Sequence, residues 1–302
     1  MGLLQEPGAG ALHPLPDRLV LGRSRLCWLR VDAAAVSAEH AALWWTGAGW
    51  RVRDLGSLNG TWVGGRRLAP GEEADLRERD TIGLGVAAPA WILVDAGPPA
   101  AMGRPAAGGD WTLGQPDMLL LPSLEHPEQA LWRSAEGTWM IEGESGAAPV
   151  GEPAQVLVAG APWLLHLPVA LPETQRAAAQ GPASSLHIRV SRDEEYVEVV
   201  VRTADRELLL PPRAFHYVLL TLARARLADA AEPTSEQGWL DGSQLAHDLQ
   251  MDRRTLNAYV YRIRKQWTEA GGSDAEPLVE RRAVTGQIRL GIRDVVVRPM
   301  GD

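Results

Sequence analysis

Residues 19–26 read LVLGRSRL, residues 36–44 read VSAEHAALW and residues 50–65 read WRVRDLGSLNGTWVGG. Each piece joins a strand-like apolar run to a short polar motif. The motifs are Gly22-Arg23, Ser37-x-x-His40 and Asp54-x-x-Ser57-x-Asn59-Gly60-Thr61, about one strand-pair apart. Asp80-Thr81-Ile82-Gly83-Leu84-Gly85 closes the segment. Single Arg, Ser or Asn residues in loops are ordinary turn or surface residues. Their order and spacing make this constellation specific.

Together these motifs resemble the forkhead-associated (FHA) domain, over roughly residues 15–95. The resemblance implies an all-β sandwich that reads phosphothreonine on other proteins. It implies that Arg23 binds the phosphate and peptide backbone, that Ser37 gives it a hydroxyl, and that the Asn59 amide holds the peptide main chain. Arginine suits this because its planar fork stays charged and binds oxygens in pairs, and loops at one end of a sandwich offer such groups from a rigid frame. Gly60 permits the turn that presents Asn59. Ser57 is a further candidate ligand, and His40 is expected to brace the loops. The family pattern is not fully kept: Ala38 stands where a basic residue is common, Leu58 where Ser or Thr precedes the asparagine, and Gly64-Gly65 replaces a second Asn-Gly. Each change removes a hydrogen-bonding group, worth ~1.5–3 kcal/mol when the partner is charged, so weaker phosphopeptide binding is expected. Arg25 and Arg30 lie in the same loop as possible substitutes.

The chain of 302 residues suits two or three domains. With 45% hydrophobic and 23% charged residues, its composition is that of an ordinary globular protein. No apolar run reaches the ~18 residues of a membrane helix. The first residues lack the basic and apolar regions of a secretory signal, and Glu6 stands where an N-myristoylation signal needs Ser or Thr. The single cysteine, Cys27, rules out an internal disulfide or a multi-cysteine metal site. A cytoplasmic protein is expected. The net charge of −8 is uneven: 10 basic and 11 acidic groups in residues 1–100, 3 and 9 in 101–185, and 17 and 18 in 186–302. The acidity is central, so whole-chain charge does not exclude a local DNA-binding face.

Two stretches, 96–109 and 172–185, read as Pro-, Ala- and Gly-rich linkers. The segment between them repeats features of the first: Leu113-Gly114-Gln115 for Leu21-Gly22-Arg23, Ala130-Leu131-Trp132 for Ala42-Leu43-Trp44, and Trp139 for Trp50. It reads as a degenerate FHA-like sandwich, without the arginine or the Asn-Gly-Thr. The expected organisation is 1–97 FHA domain, 108–170 degenerate FHA-like β domain and 186–302 DNA-binding domain. Trp44, Trp50, Trp132 and Trp139 are expected to fill sandwich cores.

After residue 185 the pattern changes. Three short strands are predicted at 186–190, 196–201 and 207–210. Pro211-Pro212 opens a helix with Phe215, Val218, Leu219 and Leu222 on one face. A short helix spans 243–249, and Asp252 caps a third whose stripe is Leu256, Val260, Ile263 and Trp267. A hairpin turns at Thr285-Gly286. This order resembles the α+β winged helix-turn-helix of OmpR/PhoB-type response-regulator effectors over residues 186–295. On a helical wheel the face opposite the stripe holds Arg254, Asn257, Ala258, Tyr261, Arg262 and Lys265, a mix suited to base edges and phosphates. Arg264 lies nearer the stripe and reads as structural. The hairpin adds Arg281, Arg282 and Arg289. The expected DNA-contacting set is Arg254, Asn257, Tyr261, Arg262, Lys265, Arg281 and Arg282.

The chain carries no Gly-x-x-x-x-Gly-Lys-[Ser/Thr], His-Glu-x-x-His or Gly-x-Ser-x-Gly motif. No enzyme, metal or cofactor is expected. The reading is a bacterial transcription regulator that docks a phosphothreonine protein, a Ser/Thr kinase or its substrate, and binds double-stranded promoter DNA as a dimer on repeated half-sites. The alternative is a scaffold in kinase signalling that never meets DNA. Thr174 is a candidate self-docking phosphosite.

Overall fold

The computed structural model describes residues 1–300 except 9, 135, 144–145, 152–153, 169–183, 204–205, 273–277 and 283–284. Thr174 and most of the second expected linker lie outside the described residues. The chain forms two compact units, Met1–Asp117 with Leu164–Val169, and Met118–Trp163 with Ala170–Asp302. The expected middle domain is therefore shared between the two units. Among the described residues, no helix is long and apolar enough to cross a membrane.

The first unit contains β1 (Gly2–Gln5), β2 (Leu12–Pro14), β3 (Arg18–Gly22), β4 (Leu29–Arg30), β5 (Ala41–Trp45), β6 (Trp50–Asp54), β7 (Thr61–Val63), β8 (Arg66–Arg67), β9 (Glu73–Leu76), β10 (Thr81–Leu84), β11 (Trp91–Ala96), β12 (Met102–Pro105) and β13 (Thr112–Leu113). Six strands form a sheet in the order β2-β1-β11-β10-β7-β8, and five form another in the order β4-β3-β5-β6-β9. Alternation sets which residues face inward. Along β6, Trp50, Val52 and Asp54 are buried while Arg51 and Arg53 are exposed. Leu4, Leu21, Leu43, Trp50, Val52, Ile82 and Leu93 form the core, each large aliphatic side chain contributing ~1.5–3 kcal/mol by leaving water. Trp50 also donates its indole N–H to the Gly97 carbonyl at 2.9 Å. Trp44 is only half-buried, in contrast to the expectation for it. The first expected linker is corrected too: Ala100, Ala101 and Met102 are buried and β12 pairs with β13. Gly103 and Pro105 within β12, and the Pro- and Ala-rich run before it, hid this strand, because such residues read as backbone breakers.

The second unit begins with β14 (Met118–Pro122), β15 (Pro127–Arg133), β16 (Trp139–Gly143) and β17 (Gly146–Pro149), a four-stranded antiparallel meander. β18 (Gln155–Val158) and β19 (Ala161–His166) follow, the last three residues of β19 belonging to the first unit. Then come β20 (Ser185–Val190), β21 (Val197–Arg202), β22 (Glu207–Leu210), α1 (His216–Ala228), α2 (Gly242–Asp248), α3 (Arg253–Glu269), β23 (Val279–Arg281), β24 (Ile288–Leu290) and β25 (Asp294–Pro299). The predicted elements form close to their expected bounds, except that α1 starts at His216 after Phe215 and not at Pro211-Pro212. The Asp252 carboxylate accepts from the Thr255 amide at 2.7 Å and starts α3. The Asp241 carboxylate caps α2 in the same way. Leu256, Val260, Ile263 and Trp267 are buried as the stripe requires. The strand β25 was not foreseen; it pairs in parallel with β20 and completes the sheet β22-β21-β20-β25. Leu240 bridges to Ile288, so the β23–β24 hairpin gains a third, short partner.

Candidate functional site

Three loops meet at one end of the first unit: residues 23–28 after β3, 31–40 after β4 and 55–60 after β6. The Arg23 amide donates to the Ser37 carbonyl at 2.9 Å and the Ser24 amide to the Ala38 carbonyl at 3.0 Å. The Leu58 amide donates to Ser37 Oγ at 3.0 Å. Arg23 Nε donates to the Val36 carbonyl at 3.2 Å, and Asn59 Nδ2 to the Ala35 carbonyl at 2.9 Å. Arg23 and Asn59 thus hold adjacent carbonyls of one loop and converge on it. Gly22 allows this closeness, since a Cβ there would collide with the Ala38 carbonyl oxygen. Gly60 has φ +86°, a left-handed backbone that favours glycine.

The arrangement leaves suitable chemistry facing outward. Arg23 is exposed and Ser37 half-buried. With one lone pair of Ser37 Oγ taken by the Leu58 amide, its hydroxyl proton can point to an acceptor. Asn59 is held by its Nδ2 donor, which fixes the direction of its amide oxygen. Arg30 Nε donates to the Arg23 carbonyl at 3.4 Å and Arg30 pairs with Asp32 at 2.9 Å, so it supports this loop from an exposed position. Leu58 is 85% exposed beside Asn59.

Below the loops lies a buried polar brace. The Asp54 carboxylate, 1% exposed, accepts from Ser57 Oγ at 2.6 Å, Thr61 Oγ1 at 2.7 Å, the Gly56 amide at 2.8 Å and the Ser57 amide at 3.0 Å. Burial alone would raise its pKa, but the hydrogen bonds from Ser57, Thr61 and Gly56 outweigh this and hold it below the usual value. Ser57 Oγ also accepts from the Gly60 amide at 3.0 Å. Ser57, expected as a ligand, is therefore a brace: its proton and one lone pair are engaged inside. His40 is fully buried. Its Nδ1 accepts from the Ser37 amide at 3.0 Å, and Nε2 meets the Gly60 carbonyl at 3.0 Å. That geometry requires the neutral Nε2–H tautomer, and burial lowers the imidazole pKa. The expectation that His40 braces the loops agrees with these contacts. Asp54 was visible in the motif, but its role was not; a carboxylate ahead of Ser and Thr in the same short run was the available signal.

The α3 face differs more from expectation. Arg254 and Lys265 are exposed and Arg262 is half-buried, as a solvent-facing surface requires. Lys265 Nζ sits 3.9 Å from Glu269 one turn on. Asn257 is 2% exposed, Tyr261 9% and Arg281 3%. These three are buried and do not form the exposed face that was expected. Asn257 Nδ2 donates to Glu142 of β16 at 2.6 Å, and Arg281 donates to Asn257 Oδ1 at 2.6 Å. The helical wheel assumed one covered side, whereas the β14–β17 sheet covers a second. Arg264 donates to the Val279 carbonyl at 2.7 Å, in keeping with a structural role. Arg282 and Arg289 flank the Trp239 ring at 4.4 and 4.3 Å and pair with Glu236 and Glu280. Among the described residues no cluster of His, Cys, Asp or Glu could hold a metal ion.

Residues 19–85 match the family model of the FHA domain. Solved structures similar to this part include the FhaA FHA domain complexed with the intracellular domain of Rv3910, 28% identical, covering 31% of this chain and 98% of that chain at a TM-score of 0.27. EmbR of Mycobacterium tuberculosis in complex with a low-affinity phosphopeptide is 26% identical, covering 32% of this chain and 25% of that one, with a TM-score of 0.28. The FHA domain of CT664 protein from Chlamydia trachomatis is 22% identical over 32% of this chain and 98% of that one, with a TM-score of 0.28. No curated protein matches. By the family model, residues 19–85 of the first compact unit carry an FHA domain.

Proposed function

We propose that the chain is a transcription regulator that docks a phosphothreonine protein through its FHA domain and binds DNA through its C-terminal elements. The observation that carries the first half is the convergence of Arg23, Ser37 and Asn59 on the loop at 35–37. A cation, a hydroxyl and an amide within one loop cluster match a phosphate dianion flanked by peptide backbone. Arg23 supplies charge and paired donors, Ser37 a hydroxyl donor and Asn59 the main-chain contact. The loss of donors at Ala38, Leu58 and Gly64 makes the expected affinity modest.

For the second half, the support is the order of elements. Three strands, α1, a short α2, a tight turn, α3 and the β23–β24 hairpin follow one another as in a winged helix. Arg254, Arg262 and Lys265 lie on the exposed part of α3, and Arg282 and Arg289 on the hairpin. In this reading the chain is not an enzyme, and it binds DNA as a dimer. A second reading, a protein-docking scaffold, is favoured by the burial of Asn257 and Tyr261. Capture of sheared genomic DNA by the full chain over a salt series separates the two. A regulator loses affinity steeply as salt rises, because phosphate contacts release counterions. A chain that retains no DNA at any salt is the scaffold.

A further inference from the structure

The sheet β14–β17 has no assigned role, and it sits on the helix that the winged-helix reading assigns to DNA. Met118, Leu120, Ala130, Trp132 and Met140 of the sheet share one core with Leu256, Ala258 and Tyr261 of α3. At the edge of that core the contact becomes ionic. Glu142 Oε1 accepts from Arg253 Nε at 2.6 Å, and Arg253 Nη2 pairs with the same oxygen. Glu142 Oε2 accepts from Asn257 Nδ2. Asn257 in turn holds Arg281, whose guanidinium lies 4.9 Å from the Trp132 ring. A groove of about 400 Å³ beside this contact is lined by Glu128 and Glu142 from the sheet and Arg253 and Arg254 from the helix. The Glu125 carboxyl is held below its usual value by its own backbone amide and Ser123, with Arg262 adding to the effect.

We infer that the β14–β17 sheet is an internal competitor of DNA, with Glu142 standing where a phosphate or base edge would meet Arg253 and Asn257. The inference rests on the winged-helix reading above. Its physical basis is the chemistry of the contact. Its ion pair is only part-buried, Arg253 25% and Glu142 21% exposed, and such a pair contributes little to a purely structural interface. Arginine and asparagine at the start of a reading helix are base- and phosphate-binding types, and a carboxylate offers them the same acceptor pattern that DNA offers. The same side chains cannot serve both partners at once. Closure also buries Trp132 and Met140, which makes the closed form the resting state. DNA then binds with its affinity reduced by the small fraction of open molecules.

The test uses the full chain and a labelled duplex of random sequence at low salt. Glu142→Arg repels Arg253 and should raise DNA affinity about tenfold, the effect of losing one charge-assisted contact, beyond that of the control Glu207→Arg. Glu207 is 56% exposed on β22, so that control adds the same charge elsewhere. Amide exchange across 253–262 should quicken in Glu142→Arg and not in the control. Glu142→Gln, nearly the same shape, should move both readouts in the same direction by less and serves if the reversal impairs folding. DNA binding that is equal in wild type, Glu142→Gln and Glu142→Arg after the charge control, with unchanged exchange, overturns the competitor and leaves DNA reading intact. Quickened exchange without DNA binding by any variant overturns both.

Discussion

Replacing Asp54 with alanine tests whether the polar brace sets the shape of the phosphopeptide loops. The carboxylate receives two hydroxyl and two amide donors. In Asp54→Ala the Gly56 amide can turn to water, because Gly56 is exposed. The Ser57 amide and the hydroxyls of Ser57 and Thr61 are buried and lose their acceptor. Each unsatisfied buried group costs ~1–3 kcal/mol, and rotation of the hydroxyls recovers part of it. A net loss of about 3 kcal/mol is expected, or about a hundredfold in the opening constant of this region at ~1.4 kcal/mol per decade. Amide exchange at Gly60 and Leu68 reads this directly, since Gly60 donates to Ser57 Oγ and Leu68 to the Thr61 carbonyl. The same stability is pH-dependent. The carboxyl pKa is lower folded than unfolded, so its contribution is fully present above the ordinary value of 3.8 and is lost as pH falls through the depressed one. Unchanged exchange at Gly60 in Asp54→Ala would refute the brace.

Three further outcomes are expected. The His40 imidazole titrates below 6.5 when folded, so it adds stability above that pH and loses it on acidification; a stability profile of wild type against His40→Gln should converge in acid, and parallel curves would contradict this. Gly22→Ala forces a Cβ into the Ala38 carbonyl and should destabilise the first unit by about 1–3 kcal/mol, read as a lower denaturant midpoint for its amides. Leu58→Thr restores a hydroxyl beside Asn59 at an exposed position and should tighten phosphothreonine-peptide binding by about 0.5–1.5 kcal/mol in calorimetry.

The polar motifs of the first unit were legible because they are local. Gly22-Arg23, Ser37-x-x-His40 and Asn59-Gly60 each occupy one loop, and the antiparallel pairing of β5 with both β3 and β6 brings the loops to one end. The α3 stripe and its Asp252 cap were legible for the same reason. Roles that depend on distant partners were not. Ser57 could be read as ligand or brace until Asp54 was seen beneath it. Asn257 and Tyr261 looked exposed because a helical wheel contains no neighbours, and the sheet that covers them lies more than a hundred residues earlier. The strand β12 was hidden by Gly103 and Pro105 within it, which read as breakers. The parallel pairing of β25 with β20 was hidden by separation along the chain.

The central claim is tested most directly by titrating the full chain with a degenerate phosphothreonine peptide library and its unphosphorylated twin, in wild type and Arg23→Ala. Saturable binding of the phosphorylated library alone, lost in Arg23→Ala, is the expected result. Equal binding of both libraries, or phosphate-dependent binding that survives Arg23→Ala, would contradict it.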